Sequence, residues 1–461
     1  MGAIPVIAVF DVGKTNKKLF LFDENYKIVF EKSARFIETV DEDGFPCENV
    51  ESLRLSVFDS LSEVFRLKEF QVKAVNFSTY GASFVYVDET GKTVCPLYNY
   101  LKPYPEELSK EFYSKYGGEE QFSLSTASPV LGSLNSGLQV YRVKKEKPEI
   151  FNKIKYALHL PQYMSFLLTG EAYSDLTSIG CHTGMWDFEN NRYHEWIQRE
   201  SITMKLPPVV AANKVLPALF PGNKYKVGVG LHDSSAALIP YLMNFHEPFV
   251  LISTGTWCIS LNPFNHQPLM VEELKEDCLS YLQYQGKPVK ASRLFAGMEH
   301  EQQVKRIAEH FNKNIISFRS VPFEPELIVR LKNKTDDKGD GVNLNKKSHF
   351  ADREISEFKD EIEAYHQLMM DIMQLQIESV QLVLKGTKVT RIFVDGGFSK
   401  NSVYMHLLSL AFPHIEVYAA SMAQASAVGA ALVIHKEWNR KAIPNDIINL
   451  TYYSANQTLA L

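Results

Sequence analysis

The chain opens with an apolar, β-branched run, Ile4-Pro5-Val6-Ile7-Ala8-Val9-Phe10. A polar segment from Asp11 to Lys18 follows, then a second apolar run at 19–22, a turn at Asp23-Glu24-Asn25, and Lys27-Ile28-Val29-Phe30-Glu31. Short apolar runs separated by glycine or Asp/Asn turns predict an antiparallel meander of three strands. The pattern returns at 249–261, where Ser253-Thr254-Gly255-Thr256-Trp257 separates two further apolar runs. Setting Asp11 on Ser253 places the two turns 242 residues apart, about half of the 461-residue chain. Two similar domains are therefore expected, each opening strand, glycine turn, strand.

The second half alternates more clearly. Tyr365, Met369, Met373, Ile377, Val380 and Leu384 follow helical spacing from Ile362, and Lys385-Gly386 stops the run. A strand is predicted at 389–394, then the turn Asp395-Gly396-Gly397, a helix from about 401 to 411, and a strand after Pro413. A last helix is expected from about 422, rich in small residues from Ala423 through Ala431 that permit close approach to a sheet or another helix. Strand–helix alternation implies an α/β domain. The polar stretch 332–347 is expected to be an exposed loop. An EF-hand reading through Asp336, Asp340 and Gly341 fails there, because Lys338 and Lys347 stand where carboxylates are required.

Composition narrows the class. Hydrophobic residues make up 45% and charged residues 22%, ordinary for a soluble globular protein. Lys and Arg total 49 against 54 Asp and Glu, a net charge of −5 that gives no support to a phosphate-backbone binder. No nucleic-acid partner is expected. The five cysteines form no C-x-x-C pair, so neither a disulfide framework nor a zinc site is indicated. The N-terminus lacks the basic region of a signal peptide, and no run of about 18 apolar residues predicts a membrane span. A reducing cytoplasm is expected by exclusion, with no membrane partner.

Gly13-Lys14-Thr15 resembles the end of a phosphate-binding P-loop, but the earlier glycine of that motif would fall at Ala8, inside a strand, and a strand rather than a helix follows. Gly228-Val229-Gly230 continues Leu-His-Asp, which breaks a dinucleotide fingerprint. A turn between two strands can instead converge backbone N–H groups into an anion-binding nest. Gly13 permits close backbone approach, Thr15 and Asn16 add donors, and Lys14, Lys17 and Lys18 add positive charge. Asp11, at the end of a buried strand, is placed to hold a magnesium ion through water. A plain hairpin turn with solvated lysines stays open for this segment alone. Thr254, Gly255 and Thr256 form a second uncharged glycine turn, and Gly396-Gly397 a third, with Asn401 either capping the next helix or reaching a nucleotide. Asp233 precedes a run of small residues; it reads either as a helix cap or as a carboxylate that takes a proton from a substrate hydroxyl.

These four segments, in this order, resemble the FGGY family of carbohydrate kinases over nearly the whole chain, with the L-rhamnulose and L-fuculose kinases as the branch most like it. The resemblance implies two α/β domains of the ribonuclease-H and actin-like ATPase type, with sugar and ATP in an inter-domain cleft. It divides the chain into 1–243, carrying sugar, the first phosphate motif and the base, and 244–461, carrying ATP. By motif matching, Asp233 becomes the general base and Asp11 a magnesium-associated residue. Gly13, Lys14, Thr15, Asn16, Lys18, Thr254, Gly255 and Thr256 become phosphate contacts, and Gly396, Gly397 and Asn401 adenosine contacts. ATP and Mg²⁺ are the implied cofactors.

Departures from the family pattern bear on the sugar. Lys14 stands where a small or hydroxyl residue is common, and His406, Ser409 and Leu410 alter the segment after the adenosine motif. The W-x-D-x-R sugar segment is replaced after Pro96 by Leu97-Tyr98-Asn99-Tyr100-Leu101-Lys102. Asn99, Tyr100 and Lys102, with Thr79, Tyr80, Ser83 and His232, are the expected sugar contacts. The expected activity is ATP-dependent phosphorylation of a ketose or 6-deoxyketose. A polyol or pentulose kinase and a non-catalytic sensor of the same fold are the alternatives, and a homodimer stays open.

Overall fold

The computed structural model describes residues 2–14, 17–33, 38–222, 224–332, 348–422 and 424–454. Thr15, Asn16, the 333–347 part of the polar loop and Ala423 lie outside the described residues. The chain divides into two compact units. The first comprises Met1–Asn244, Ser280–Pro288 and Gln424–Ile447; the second comprises Phe245–Leu279, Val289–Ala423 and Ile448–Leu461. The first segment ends at Asn244, and two later segments, 280–288 and 424–447, return to the first unit.

In the first unit, the strand Ile4–Val12 lies antiparallel to Lys17–Asp23 and parallel to Phe70–Thr79. The sheet runs Val215–Pro217, Lys226–Gly228, Phe70–Thr79, Ile4–Val12, Lys17–Asp23, Ile28–Ser33, with Leu231–His232 also pairing to Phe70–Thr79. Val6 through Phe10 and Leu19 through Phe22 are buried without alternation, as strands covered on both faces must be. One face packs Val6, Ala8, Phe10 and Leu21 against Leu53, Val57, Leu61 and Val64 of the helix Val50–Arg66 and against Leu160, Met164 and Leu168 of Leu160–Thr169. The helices Asp233–Asn244 and Ala425–Val433 also pack on the sheet and on each other. Small residues permit that contact: a Cβ on Gly429 would meet the Ala236 carbonyl at 1.9 Å. Buried Asn76 ties strand and helix together, donating to the Ala430 carbonyl at 2.7 Å and accepting from the Gly230 amide at 3.1 Å.

The second unit repeats the plan. Phe249–Thr254 is antiparallel to Cys258–Asn262 and parallel to Arg391–Gly396. Its sheet is ordered Cys278–Leu282, Pro288–Leu294, Cys258–Asn262, Phe249–Thr254, Arg391–Gly396, Glu416–Ser421, Asn449–Tyr453. The 242-residue offset sets Val12 on Thr254, each the last residue of its strand, so the repeat read from the two turns is a structural one. The expected long helix spans Glu361–Leu384, capped by the Asp360 side chain on the Glu363 amide, with Tyr365, Met369, Met373 and Val380 in the core. The next helix is Ser402–Ala411. Two elements shift from expectation. The strand predicted at 389–394 runs Arg391–Gly396, because Asp395 and Gly396 still pair with Ser253 and Thr254. The last helix begins at Ala425, since Gln424 is left-handed at φ 60°. Among the described residues no helix is long and apolar enough to cross a membrane.

Candidate functional site

Strand register builds the first cluster. Asp11 pairs with Ser78, and Val12 and His232 both pair with Thr79, so Asp11 and the Leu231–His232 strand converge on one sheet edge. Carboxyl ends of parallel strands are where open α/β sheets bind ligands. Asp11 accepts a hydrogen bond from Ser426 Oγ at 3.0 Å. Burial, and then the charge of Asp233, push its carboxyl up to about 6 against the pull of Ser426.

Asp233 is the first residue of its helix, and its carboxylate accepts from the Ser234 amide at 2.6 Å. A capping side chain would instead take the amide two or three residues on. Burial raises Asp233 to about 6, while 34% of its side-chain surface stays open. His232 Nε2 lies 3.3 Å from Asp233 Oδ1 and 3.4 Å from Cys181 Sγ. Burial lowers the imidazole to about 4, so it is neutral at pH 7. Behind it, Asp175 holds the Thr177 hydroxyl, which accepts from the His232 amide at 3.0 Å. Gly81 leaves room for the ring: a Cβ there would meet His232 Cδ2 at 2.6 Å.

The remaining first-unit candidates separate into two groups. Lys14, Tyr80 and Tyr100 stand together, with the Lys14 ammonium 5.4 and 5.5 Å from the two ring centroids. Lys102 and Asn99 are committed elsewhere. The Lys102 ammonium binds Asp41 at 2.5 Å and Asp43 at 2.6 Å, and Asn99 donates to the Pro46 carbonyl while accepting from the Leu101 amide. Thr79 donates to the Tyr80 carbonyl, and Ser83 is buried with its carbonyl taken by the Leu160 amide. Lys18 pairs with Glu31 at 2.5 Å, and its charge also reaches Asp11. Sequence reasoning missed Glu48, a buried carboxylate beside Lys14 and Lys17.

The second unit holds its own cluster. The Thr254 hydroxyl donates to the Asp395 carbonyl at 2.6 Å and accepts from the Phe398 amide, while its carbonyl accepts from the Gly397 amide. This knot binds the two glycine turns into one surface. Gly396, at φ +90°, is required there, since a Cβ would meet the Thr254 carbonyl at 1.9 Å. Gly255 and Gly397 face open space, and Thr256 is exposed. The Asn401 side chain accepts from the Tyr404 amide as a cap and donates to the Tyr365 hydroxyl at 2.6 Å, so both of its ends are occupied within the protein.

Two sheets of one plan, each carrying a glycine turn after its first strand, define an actin-like ATPase fold. The family model for the N-terminal domain of FGGY carbohydrate kinases matches residues 6–239, and that for the C-terminal domain matches 246–317. The chain belongs to the FGGY family of carbohydrate kinases. It is 22% identical over 281 residues to a rhamnulokinase of Oceanobacillus iheyensis, a match covering 56% of each protein; the chain thus spans about half the length of that relative. Its fold matches a carbohydrate kinase from Novosphingobium aromaticivorans with a TM-score of 0.80 at 22% identity, covering 98% of this chain and 95% of that one. A ligand-bound xylulose kinase from Lactobacillus acidophilus matches with a TM-score of 0.80 at 16% identity, over 99% and 94%.

Proposed function

We propose that the protein transfers the γ-phosphate of ATP to a hydroxyl of a ketose, with 6-deoxyketoses such as L-rhamnulose and L-fuculose as the preferred class. One observation carries this: Asp233, a carboxylate one-third open and raised to about 6 by burial, held by the Ser234 amide beside neutral His232. A base with that affinity for protons is ionised at pH 7 and still able to accept one. The likeness to a rhamnulokinase supports the choice of sugar.

The reading assigns the sugar to 1–243 and ATP to 244–461. Gly255 and Gly397 leave room for backbone to approach a phosphate or a ring, with Thr256 adding a hydroxyl. Gly13 and Lys18 serve the first phosphate turn together with Thr15 and Asn16, which lie outside the described residues. The residues also fit a magnesium ion. Among the described residues no cluster of three His, Cys, Asp or Glu is present, yet Mg²⁺ takes only one or two carboxylates and keeps its waters. Asp11 and Asp233, each resisting ionisation through burial and with the charge of Asp233 raising Asp11 further, would both gain from a cation. Held through water by Asp11, with Asp233 near it, the ion would offset the charge of the transferring phosphate.

Asp233 takes the hydroxyl proton as the sugar oxygen bonds to the γ-phosphorus and the bond to the β-phosphate oxygen breaks; ADP leaves with that electron pair. Ser426 holds Asp11 in place, and the Asp175–Thr177 link holds the backbone at His232. A reducing cytoplasm is the proposed compartment, and a homodimer is the assembly to test by sedimentation.

A coupled ADP-release screen over ketoses, deoxyketoses and polyols tests the reading. ADP release that depends on L-rhamnulose or L-fuculose is expected. Preference for glycerol or D-xylulose would keep the kinase and move the substrate. ATP use indifferent to every sugar would sink the proposal in favour of a sensor.

A further inference from the structure

Glu48 ends the short strand Pro46–Glu48 and precedes Asn49, whose side chain caps the helix Val50–Arg66 on the Ser52 amide. Its backbone is thus fixed, and its side chain is 4% exposed. Among the described residues neither carboxylate oxygen has a hydrogen-bond partner. The near cations, Lys17 Nζ at 3.2 Å and Lys14 Nζ at 3.6 Å, both approach Oε1. Charge is supplied at Oε1, and the Tyr80 hydroxyl also lies against the carboxylate, held in its protonated form by burial first and then by Glu48. Buried acceptors in that condition call for a ligand or water.

The surroundings indicate which ligand. The Lys14 ammonium sits over the Tyr80 and Tyr100 rings, which meet edge to face at 5.9 Å. Burial first, then the charges of Asp233 and Glu48, raise the Tyr100 hydroxyl, so this one side chain lies in the field of both carboxylates. An acceptor carboxylate, a donor ammonium and two aromatic faces match a polyhydroxylated carbon chain. Its hydroxyls donate to the carboxylate, its oxygens accept from the ammonium, and its C–H face packs on the rings.

We propose that Glu48 selects the sugar: its Oε2 accepts from hydroxyls of the acceptor ketose, and Lys14 donates to a neighbouring oxygen of the same molecule. This rests on the kinase reading above and turns Lys14 from the γ-phosphate to the sugar. A Glu48 that merely balanced Lys14 and Lys17 would affect melting and leave sugar affinity alone.

The test is calorimetry with L-rhamnulose, L-fuculose, D-xylulose and glycerol, beside ADP release, on the full chain and its Glu48→Gln, Glu48→Ala and Lys14→Met variants. In Glu48→Gln the Kd and KM of the best-bound compound should rise about 10- to 100-fold, with KM for ATP within about twofold of wild type. Lys14→Met should share the loss of sugar affinity. Wild-type affinity in a folded Glu48 variant overturns the inference, as does a wild-type protein that binds none of the four. Binding that weakens in Glu48→Gln while wild type releases no ADP removes the kinase reading and leaves the role of Glu48 standing. Should both Glu48 variants fail to fold, Lys14→Met decides: weakened sugar binding sustains the inference and unchanged binding overturns it.

Discussion

Asp11 and Asp233 both sit near 6 where an ordinary aspartate lies at 3.8. Turnover should therefore rise with pH through about 6 and level off above it, as a pH–rate profile would show. Asp233→Asn keeps the size and the bond from Ser234 yet cannot accept a proton. Its kcat should fall about 10²-fold or more, with KM for ATP near wild type; near-normal turnover would send the search for the base elsewhere. Stability gives an independent check. A carboxyl raised in the folded state favours its protonated form, so its stabilising effect is present below pH 4 and lost as pH rises through about 6. Asp233→Asn should thus melt at or above wild type at pH 7, and that advantage should vanish below pH 4. Asp11 stands out in the sequence because it ends an apolar strand before a glycine turn, and Asp233 because it opens a run of small residues; motif matching gave each its expected role. Glu48 was not, since Phe45-Pro46-Cys47-Glu48-Asn49 reads as a turn before a helix, and its neighbours come from positions 14, 17, 80 and 100. The pairing of Lys102, an expected sugar contact, with Asp41 and Asp43 some sixty positions away is likewise invisible to any local pattern.

Among the elements, the second-unit turns make opposite demands on glycine. Gly255 has open space and no left-handed φ, so Gly255→Val should fold like wild type and lose nucleotide use, read as a raised KM for ATP or a reduced kcat. Gly396 is left-handed and pressed on the Thr254 carbonyl. Gly396→Ala should lower the Tm by at least about 2–4 °C, the shift of one kcal/mol in a unit of this size. Asn401→Ala should cost about 1 kcal/mol as a lost cap, and a KM for ATP unchanged alongside it would mean that the side chain does not reach the nucleotide. The strands at 249–261 and the elements between 362 and 431 were legible because their apolar periods run unbroken; the strands Cys278–Leu282 and Pro288–Leu294 and the helix Ala296–His310 were not read. Between 84 and 210 the signal dissolves into short helices and two-residue strands such as Ser174–Asp175 and Trp186–Asp187. There Phe112, Phe122, Tyr141 and Trp196 fill one cluster drawn from four separate segments, a pattern no local period encodes.

At the scale of the whole molecule, the first unit is not contiguous. Gln424–Ile447 supplies Ser426 to Asp11, the Ala430 carbonyl to Asn76, and His435 and Trp438 to Tyr26. A fragment ending at Asn244 should fail to unfold cooperatively by circular dichroism, and supplying 424–447 in fusion should restore a transition. The same connectivity sets a clock on biosynthesis. Some two hundred residues separate Asn244 from Ile447, so at 5–20 residues per second the ribosome needs roughly 10–40 s to deliver the missing piece. Throughout that interval the nascent first half exposes the helix surface that Gly429 will cover and holds a charged Asp11 with no hydroxyl from Ser426. A polypeptide of this design depends on chaperones during translation more than its finished stability would suggest, and a ribosome stall between 244 and 424 should be a point of aggregation.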